Sequence, residues 1–210
     1  MGRMSVDEFK AAEKTPLTVV LDDVRSMYNV GSVLRSCDAF RVKEVLLCGI
    51  TAAPPHPEIH KTALGAEDSV AWRHCPSALE AVRELQAGGV RVMAVEQCEG
   101  STMLGDFRPE PGAEYAVVLG NEVKGVNQAV VDACDGCLEI PQYGTKHSLN
   151  VSVTAGIVIY SLHEKLRGRT RQTLWRGGAD ANPKTCCQTI HDCQKVVPLH
   201  YESEWQYKHV

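Results

Sequence analysis

The chain has no run of about 18 consecutive apolar residues, the length a bilayer-spanning helix needs; its longest apolar stretches are broken by Ser, Thr or charge. Met1 to Lys10 lacks the charged-then-apolar order of a secretory signal. Positive charge is not in excess either: 22 Lys and Arg face 26 Asp and Glu, and the net charge of −4 excludes a general polyanion binder while leaving room for a local basic patch. A cysteine framework is missing. The nine cysteines are an odd number scattered through strand-like and helix-like segments, as expected of buried thiols in a reducing compartment, so the expected location is the cytoplasm and Asn150-Val151-Ser152 carries no glycan.

Nucleotide and metal signatures are equally sparse. No G-x-G-x-x-G follows the first strand-like run, which removes a dinucleotide-binding site. The nearest phosphate-loop candidate, Gly120 to Gly125, continues into Val126-Asn127 where Lys and Ser/Thr are required. His56 and His60 flank Glu58, but the order is not His-Glu-x-x-His, and Pro55 and Pro57 argue against the helix such a pair needs. Cys134-Asp135-Gly136-Cys137 has no second pair. Cys186, Cys187, His191 and Cys193 could offer four zinc ligands, although adjacent cysteines chelate poorly. No metal is expected.

What the sequence does contain is alternation. With 210 residues and 44% hydrophobic content it can bury a real core. Thr18 to Leu21 reads as a buried strand, and Val30, Val33, Leu34 and Cys37 then follow at the spacing of a helix face, with Asn29 as the expected cap. Glu44 to Ile50 is a second strand, followed by an irregular loop holding Pro54, Pro55 and Pro57. Ser77 and Glu80 form a capping box before Leu79, Val82 and Leu85, and Gly88-Gly89 ends that helix. Val90 to Val95, Tyr115 to Leu119 and Cys137 to Ile140 are further strands, with a short helix over Asn127 to Cys134. Leu149 to Leu166 closes the pattern with a helix apolar on every side, which must be covered all round. The expected fold is α/β, a mostly parallel sheet with flanking helices, whose ligands sit outside the carboxyl ends of the strands. The expected division is a short N-terminal arm (residues 1–16), one domain (17–168) and a tail (169–210).

Polar residues gather at three expected strand exits: Asn29 and Arg35 after the first, Asn121 and Glu122 after the fourth, and Gln142 through Asn150 after the fifth. Three stretches carry a resemblance. Asn29-Val30-Gly31-Ser32-Val33-Leu34-Arg35, Leu119-Gly120-Asn121-Glu122-Val123-Lys124-Gly125, and Ile140-Pro141 followed by Ser148-Leu149-Asn150-Val151-Ser152 resemble, in order, the motifs of the SpoU/TrmH family of RNA ribose 2'-O-methyltransferases in the SPOUT superfamily. The resemblance spans roughly Leu17 to Leu166. It implies a C-terminal trefoil knot, S-adenosylmethionine as cofactor, an RNA partner (tRNA or rRNA) and a homodimer. The closing helix supports dimerisation separately, because one small sheet can cover only part of its apolar circumference.

For a weak nucleophile such as a ribose hydroxyl, the protein must stabilise developing alkoxide charge and hold oxygen, carbon and sulfur in line. The resemblance assigns this work to Asn29, Arg35, Glu122, Ser148 and Asn150. A guanidinium does not give up its proton, so Arg35 is read as gripping a phosphate and stabilising the alkoxide, with Glu122 orienting Arg35 or Asn29. Cofactor contacts are placed at Val95, Glu96, Leu119, Gly120, Asn121, Ile140, Pro141, Gln142, Ser148 and Leu149. RNA contacts are placed at Lys61 and Thr62 and at Arg167, Arg169 and Arg171, part of a basic run with Lys165 and Arg176. That run reads equally well as a solvated helix end. The residues before Leu17 are too few for an additional RNA-binding domain, which leaves RNA capture to the dimer surface, the Pro54 to Ala66 segment and the tail. The alternative is a catalytically silent relative, a dimeric RNA-binding or scaffold protein, which would have no reason to keep all five polar residues.

Overall fold

The computed structural model of the chain describes residues 4–145 and 148–174, with 168–174 as backbone alone. The elements below lie in the compact unit that ends at Arg171, except for the last three residues of the closing helix. Among the described residues the strands are β1 (Thr15–Asp22), β2 (Val42–Cys48), β3 (Trp72–Cys75), β4 (Arg91–Val95), β5 (Thr102–Met103), β6 (Tyr115–Leu119) and β7 (Gly136–Glu139). They form one sheet of order β3-β2-β1-β6-β4-β7-β5, and every pairing is parallel. The α/β expectation is met.

Period-two alternation sorts the core into two layers. Leu17, Val19 and Leu21 of β1, with Val117 and Leu119 of β6, face a cluster that includes residues of α1 (Val6–Ala11), α2 (Met27–Ala39), α3 (Pro57–Ala63) and α7 (Val151–Leu174). Val20, Leu46, Ala116 and Val118 face the opposite side, under α5 (Ala78–Ala87) and α6 (Gln128–Ala133). A one-turn helix, α4 (Ala66–Ser69), completes the first layer. The N-terminal arm is not a bare extension, since α1 buries Phe9 in that layer.

Two local expectations need correction. Asn29 does not cap α2; Ser26 does, its hydroxyl accepting from the Asn29 N–H at 3.3 Å, and Asn29 lies inside the first turn. Pro57 is not in an irregular loop. It opens α3, where its missing N–H costs nothing, and His56 is the cap, with Nδ1 accepting from the Glu58 N–H at 3.2 Å.

The closing helix also differs from its expected burial. Val151, Ala155, Val158, Ile159 and Leu162 are buried in the core at the i, i+4, i+7, i+8 spacing of one helix face. Val153, Ile157 and Tyr160 lie on other sides and are 51%, 39% and 54% exposed. Within one chain, then, α7 is covered on one side only.

Candidate functional site

Because all strands run the same way, the segments leaving β1, β4, β6 and β7 emerge at one edge of the sheet. The segment after β6 closes on itself, with Asn121 and Gly125 exchanging both backbone hydrogen bonds at 3.0 and 2.9 Å. Two glycines make this ring feasible. A Cβ on Gly120 would lie 2.1 Å from the Gly125 carbonyl carbon, and Gly125 itself has φ +70°.

The ring is tied down from several directions. Asn121 is buried; its Nδ2 donates to the Asp23 carbonyl at 2.8 Å and its Oδ1 accepts from Val123 and Lys124. The Asn127 N–H donates to Asp22 Oδ2 at 3.2 Å, and the Val126 N–H donates to Glu96 Oε2 at 3.1 Å. Burial pushes the Asp22 carboxyl above its ordinary range, the Asn127 bond opposes this and neighbouring Asp23 adds to it.

At the outer side of the ring stands Glu122. Its Oε2 accepts from the Arg25 N–H at 3.1 Å, and its Oε1 accepts from the Ser26 N–H at 3.1 Å and from Asn29 Nδ2 at 3.0 Å. Desolvation would raise this carboxyl, but the Asn29 side chain, its own N–H and those of Arg25 and Ser26 outweigh it and hold the group below its ordinary range. Asn29 Oδ1 then accepts from Asn150 Nδ2 at 3.2 Å. Asn150 in turn caps α7, its Oδ1 accepting from the Ser152 N–H at 2.9 Å and the Val153 N–H at 3.4 Å.

The direction of this run is fixed by chemistry at both ends. The Asn150 oxygen is committed to helix N–H groups, so its amide must donate to Asn29, whose own amide must donate to the carboxylate. Three of the expected residues, from three distant segments, therefore form one hydrogen-bonded line: Asn150 to Asn29 to Glu122. Ser148 stands at the same edge, on the cleft described next.

Arg35 is not part of that line. It lies six residues beyond Asn29 on α2, about 9 Å farther along the axis and on another side of the helix. It is exposed, makes no hydrogen bond or ion pair among the described residues, and borders a shallow depression with Ser32, Ser36, Phe40, Lys61 and Thr62. Thr62 Oγ1 donates to the Tyr28 carbonyl at 3.0 Å, linking that depression to the start of α2. Arg167 is the last residue whose side chain is described; the side chains of Arg169 and Arg171, together with His147, Arg176, Cys186, Cys187, His191 and Cys193, lie outside the described residues.

Beside the polar line opens a cleft of about 410 Å³. Its walls include Val95, Glu96, Leu119, Gly120, Ile140, Gln142, Ser148 and Leu149, eight of the ten positions expected to hold cofactor. Asn121 and Pro141 do not border it, Asn121 because its side chain is spent on the ring. The cleft combines apolar walls (Leu119, Leu138, Ile140, Val151) with three carboxylates, Glu96, Glu122 and Glu139, against one ammonium, Lys124. Such a lining suits a ligand with an apolar body and a cationic centre.

Several working groups escaped the sequence reading. Ser26 was findable, since a Ser three residues before Asn29 is a cap signal. The side-chain roles of Asp22 and Glu96 were not, because they depend on contacts 105 and 30 residues away.

Comparison with known proteins places this edge in context. A profile of the SpoU rRNA Methylase family matches residues 16–160. The 23S rRNA (guanosine-2'-O-)-methyltransferase RlmB of Vibrio parahaemolyticus is 30% identical over 160 residues, covering 76% of this chain; the chain spans only 64% of that relative's length. Among solved structures, a TrmH/SpoU tRNA modifying enzyme of A. aeolicus superposes with a TM-score of 0.68 over 89% of this chain and 91% of its own, at 22% identity. The SpoU methyltransferase AviRb of Streptomyces viridochromogenes, in complex with the cofactor AdoMet, gives 0.64 over 77% of this chain and 64% of its own, at 24% identity. With its profile spanning both asparagines, Glu122 and the strands that position them, the chain belongs to the SpoU rRNA methylase family.

Proposed function

We propose that the protein transfers a methyl group from S-adenosylmethionine to a ribose 2'-hydroxyl of tRNA or rRNA, working in the cytoplasm as a homodimer. The observation that carries this reading is the Asn150–Asn29–Glu122 line on the rim of an apolar, acid-lined cleft. Bound there, the cofactor would supply an electrophilic methyl on a sulfonium, and the three carboxylates favour a cation over a neutral ligand. Val95, Leu119, Ile140 and Leu149 take up its apolar surface, Gly120 lets backbone approach closely, and Gln142 and Ser148 offer polar contacts.

Asn29 and Asn150 sit where the substrate ribose must come, and their amides are already oriented, so no reorganisation is needed as charge develops. Glu122 is a positioning residue in this scheme: it fixes Asn29 and the turn before α2. Arg35 grips a backbone phosphate and stabilises the alkoxide, and Lys61 and Thr62 extend its surface along the RNA. Arg167, Arg169 and Arg171 continue the basic run.

Two features support assembly across a twofold axis. Val153, Ile157 and Tyr160 form an exposed apolar strip along the closing helix, which a symmetric partner would cover. Arg35 lies off its own polar line and borders a depression shared with Phe40, the residue after α2, whose ring packs at a tilt against Tyr160 with centroids 5.7 Å apart. A partner docked on that strip would bring its own cleft toward Arg35. We also infer the trefoil threading of the family: β7 lies inside the sheet between β4 and β5, yet the chain then returns to seat α7 against α2 and β1.

The test is direct. Purified protein should bind S-adenosylmethionine and label a ribose in total RNA from cells that lack it, recovered after nuclease digestion as one 2'-O-methylnucleoside. Binding without labelling of any tRNA or rRNA would leave a silent RNA-binding dimer, and absence of binding would end the reading.

A further inference from the structure

The ring between Asn121 and Gly125 is rigid in itself, so its tilt is set by whatever holds its two flanks. One flank is held by Glu122, toward α2 and the polar line. The other is held by a different carboxylate. Glu96, the first residue past β4, donates its backbone N–H to the Leu138 carbonyl at 3.2 Å, which seats it on the seam with β7. Its Oε1 accepts from the Gln97 N–H at 2.9 Å, fixing the side chain over its own turn. Its Oε2 accepts from the Val126 N–H at 3.1 Å. A Cβ on Gly125 would come within 2.2 Å of that same oxygen, so the absence of a side chain at 125 is what lets the carboxylate reach the peptide. One residue thus joins three of the segments that wall the cleft: the exit of β4, the loop after β6 and strand β7.

We propose that the Glu96 carboxylate is a positioning residue, a strap that sets the β6 loop against the cleft and makes donor binding, more than methyl transfer, its responsibility. The division of labour follows from the ring's geometry. Loss of the Glu122 anchor disturbs Asn29 and the reacting end. Loss of the Glu96 anchor lets the Gly125 and Val126 flank drift, widening the donor side while Asn29, Glu122 and Asn150 keep their bonds. The proposal rests on the methyltransferase reading for its ligand but not for the strap itself.

The experiment compares Glu96→Ala and Glu96→Gln with the unmodified protein, using amide hydrogen exchange at Val126 and steady-state kinetics with S-adenosylmethionine. In Glu96→Ala, Val126 should exchange about tenfold faster, and KM for the donor should rise about tenfold while kcat falls less than about threefold. Glu96→Gln keeps a neutral acceptor and should fall between the two on both readouts, which also covers the case in which the alanine variant does not fold. Unchanged exchange at Val126 in both variants, or a fall in kcat with KM unmoved, overturns the strap. If the unmodified protein binds no S-adenosylmethionine, the methyltransferase reading fails and the exchange at Val126 alone decides the strap.

Discussion

Helix α2 carries two polar residues assigned to the same chemistry, and the protein treats them in opposite ways. Asn29 is held at both ends of its amide, by Glu122 and by Asn150, before any ligand arrives. Arg35 is exposed and has no hydrogen-bonding or ionic partner among the described residues. The difference teaches what each is for. A group that must present an amide at one fixed position gains from preorganisation, since the ordering is done during folding. A group that must reach a flexible polyanion gains from being left free to move. On the proposed function, the first works as part of the fold, and the second is left free for RNA or for the cleft of a second subunit.

The largest expected effect is at the free residue. Arg35→Ala should cut turnover roughly 10²- to 10³-fold, the range for losing one charge-stabilising donor, while changing donor affinity less than about threefold. Rapid-quench turnover beside calorimetric donor titration checks it. Parallel losses in both quantities would mean that Arg35 belongs to the donor site and that the contrast with Asn29 is false.

Mixing two inactive variants sharpens the comparison further. If Arg35 serves the neighbouring cleft, co-refolded Arg35→Ala and Glu122→Ala chains form heterodimers in which one of two composite sites is intact, and about a quarter of the original activity returns by random pairing. Should Arg35 serve its own cleft, every site in the mixture carries a lesion and nothing returns. Sedimentation of the same mixture reports whether dimers formed.

A smaller effect tests the tied side. A double-mutant cycle between Asn29→Ala and Asn150→Ala, read by chemical denaturation, should show coupling of about 0.5–1.5 kcal/mol, because the pair share a hydrogen bond within one network. The same cycle between Arg35 and Asn150 should add without coupling. Equal values for both cycles would dissolve the distinction between bound and unbound residues.

The sheet was legible because β1, β4 and β6 write their burial directly as apolar runs; Tyr115–Leu119 matches its expected bounds to the residue, whereas β1 runs Thr15–Asp22 where only Thr18 to Leu21 was expected. Strand β5 was not, since Thr102 and Met103 are both exposed and pair only at the edge. Helix α3 was misread because proline was weighed as a breaker instead of as a first-turn residue, and Asn29 because an asparagine before an apolar stripe satisfies the cap rule whether or not a serine stands three residues earlier. At the site, residue identities came from motif order, whereas their connections did not. Nothing local says that Asn150 spends its oxygen on its own helix and its amide on a residue 121 positions away. Long-range hydrogen bonds leave no periodic trace in a sequence.

The far end of α2 is tied as well, but by a group that titrates. Thr15 Oγ1 donates to the Phe40 carbonyl at 2.7 Å, so the contact of 2.8 Å between Thr15 Oγ1 and His163 Nδ1 must be a bond donated by the imidazole. The ring also packs on Phe40, with centroids 5.3 Å apart. Burial lowers the His163 pKa from its ordinary 6.5, and the facing Arg167 and Arg41 push the same way, against Glu164 and the Phe40 backbone contact. A histidine with a depressed folded value binds its proton more readily when unfolded, so its contribution is fully present above 6.5 and is lost as pH falls through the folded value. Glu122, also depressed, loses its contribution only below its ordinary 4.5, so the two losses set in at different pH. The melting temperature should therefore decline as pH falls below about 6.5, and His163→Gln should flatten the onset of that decline while leaving the acid limb below pH 4.5 in place. A slope indifferent to His163→Gln would show that the imidazole's bond to Thr15 does not hold this end of α2.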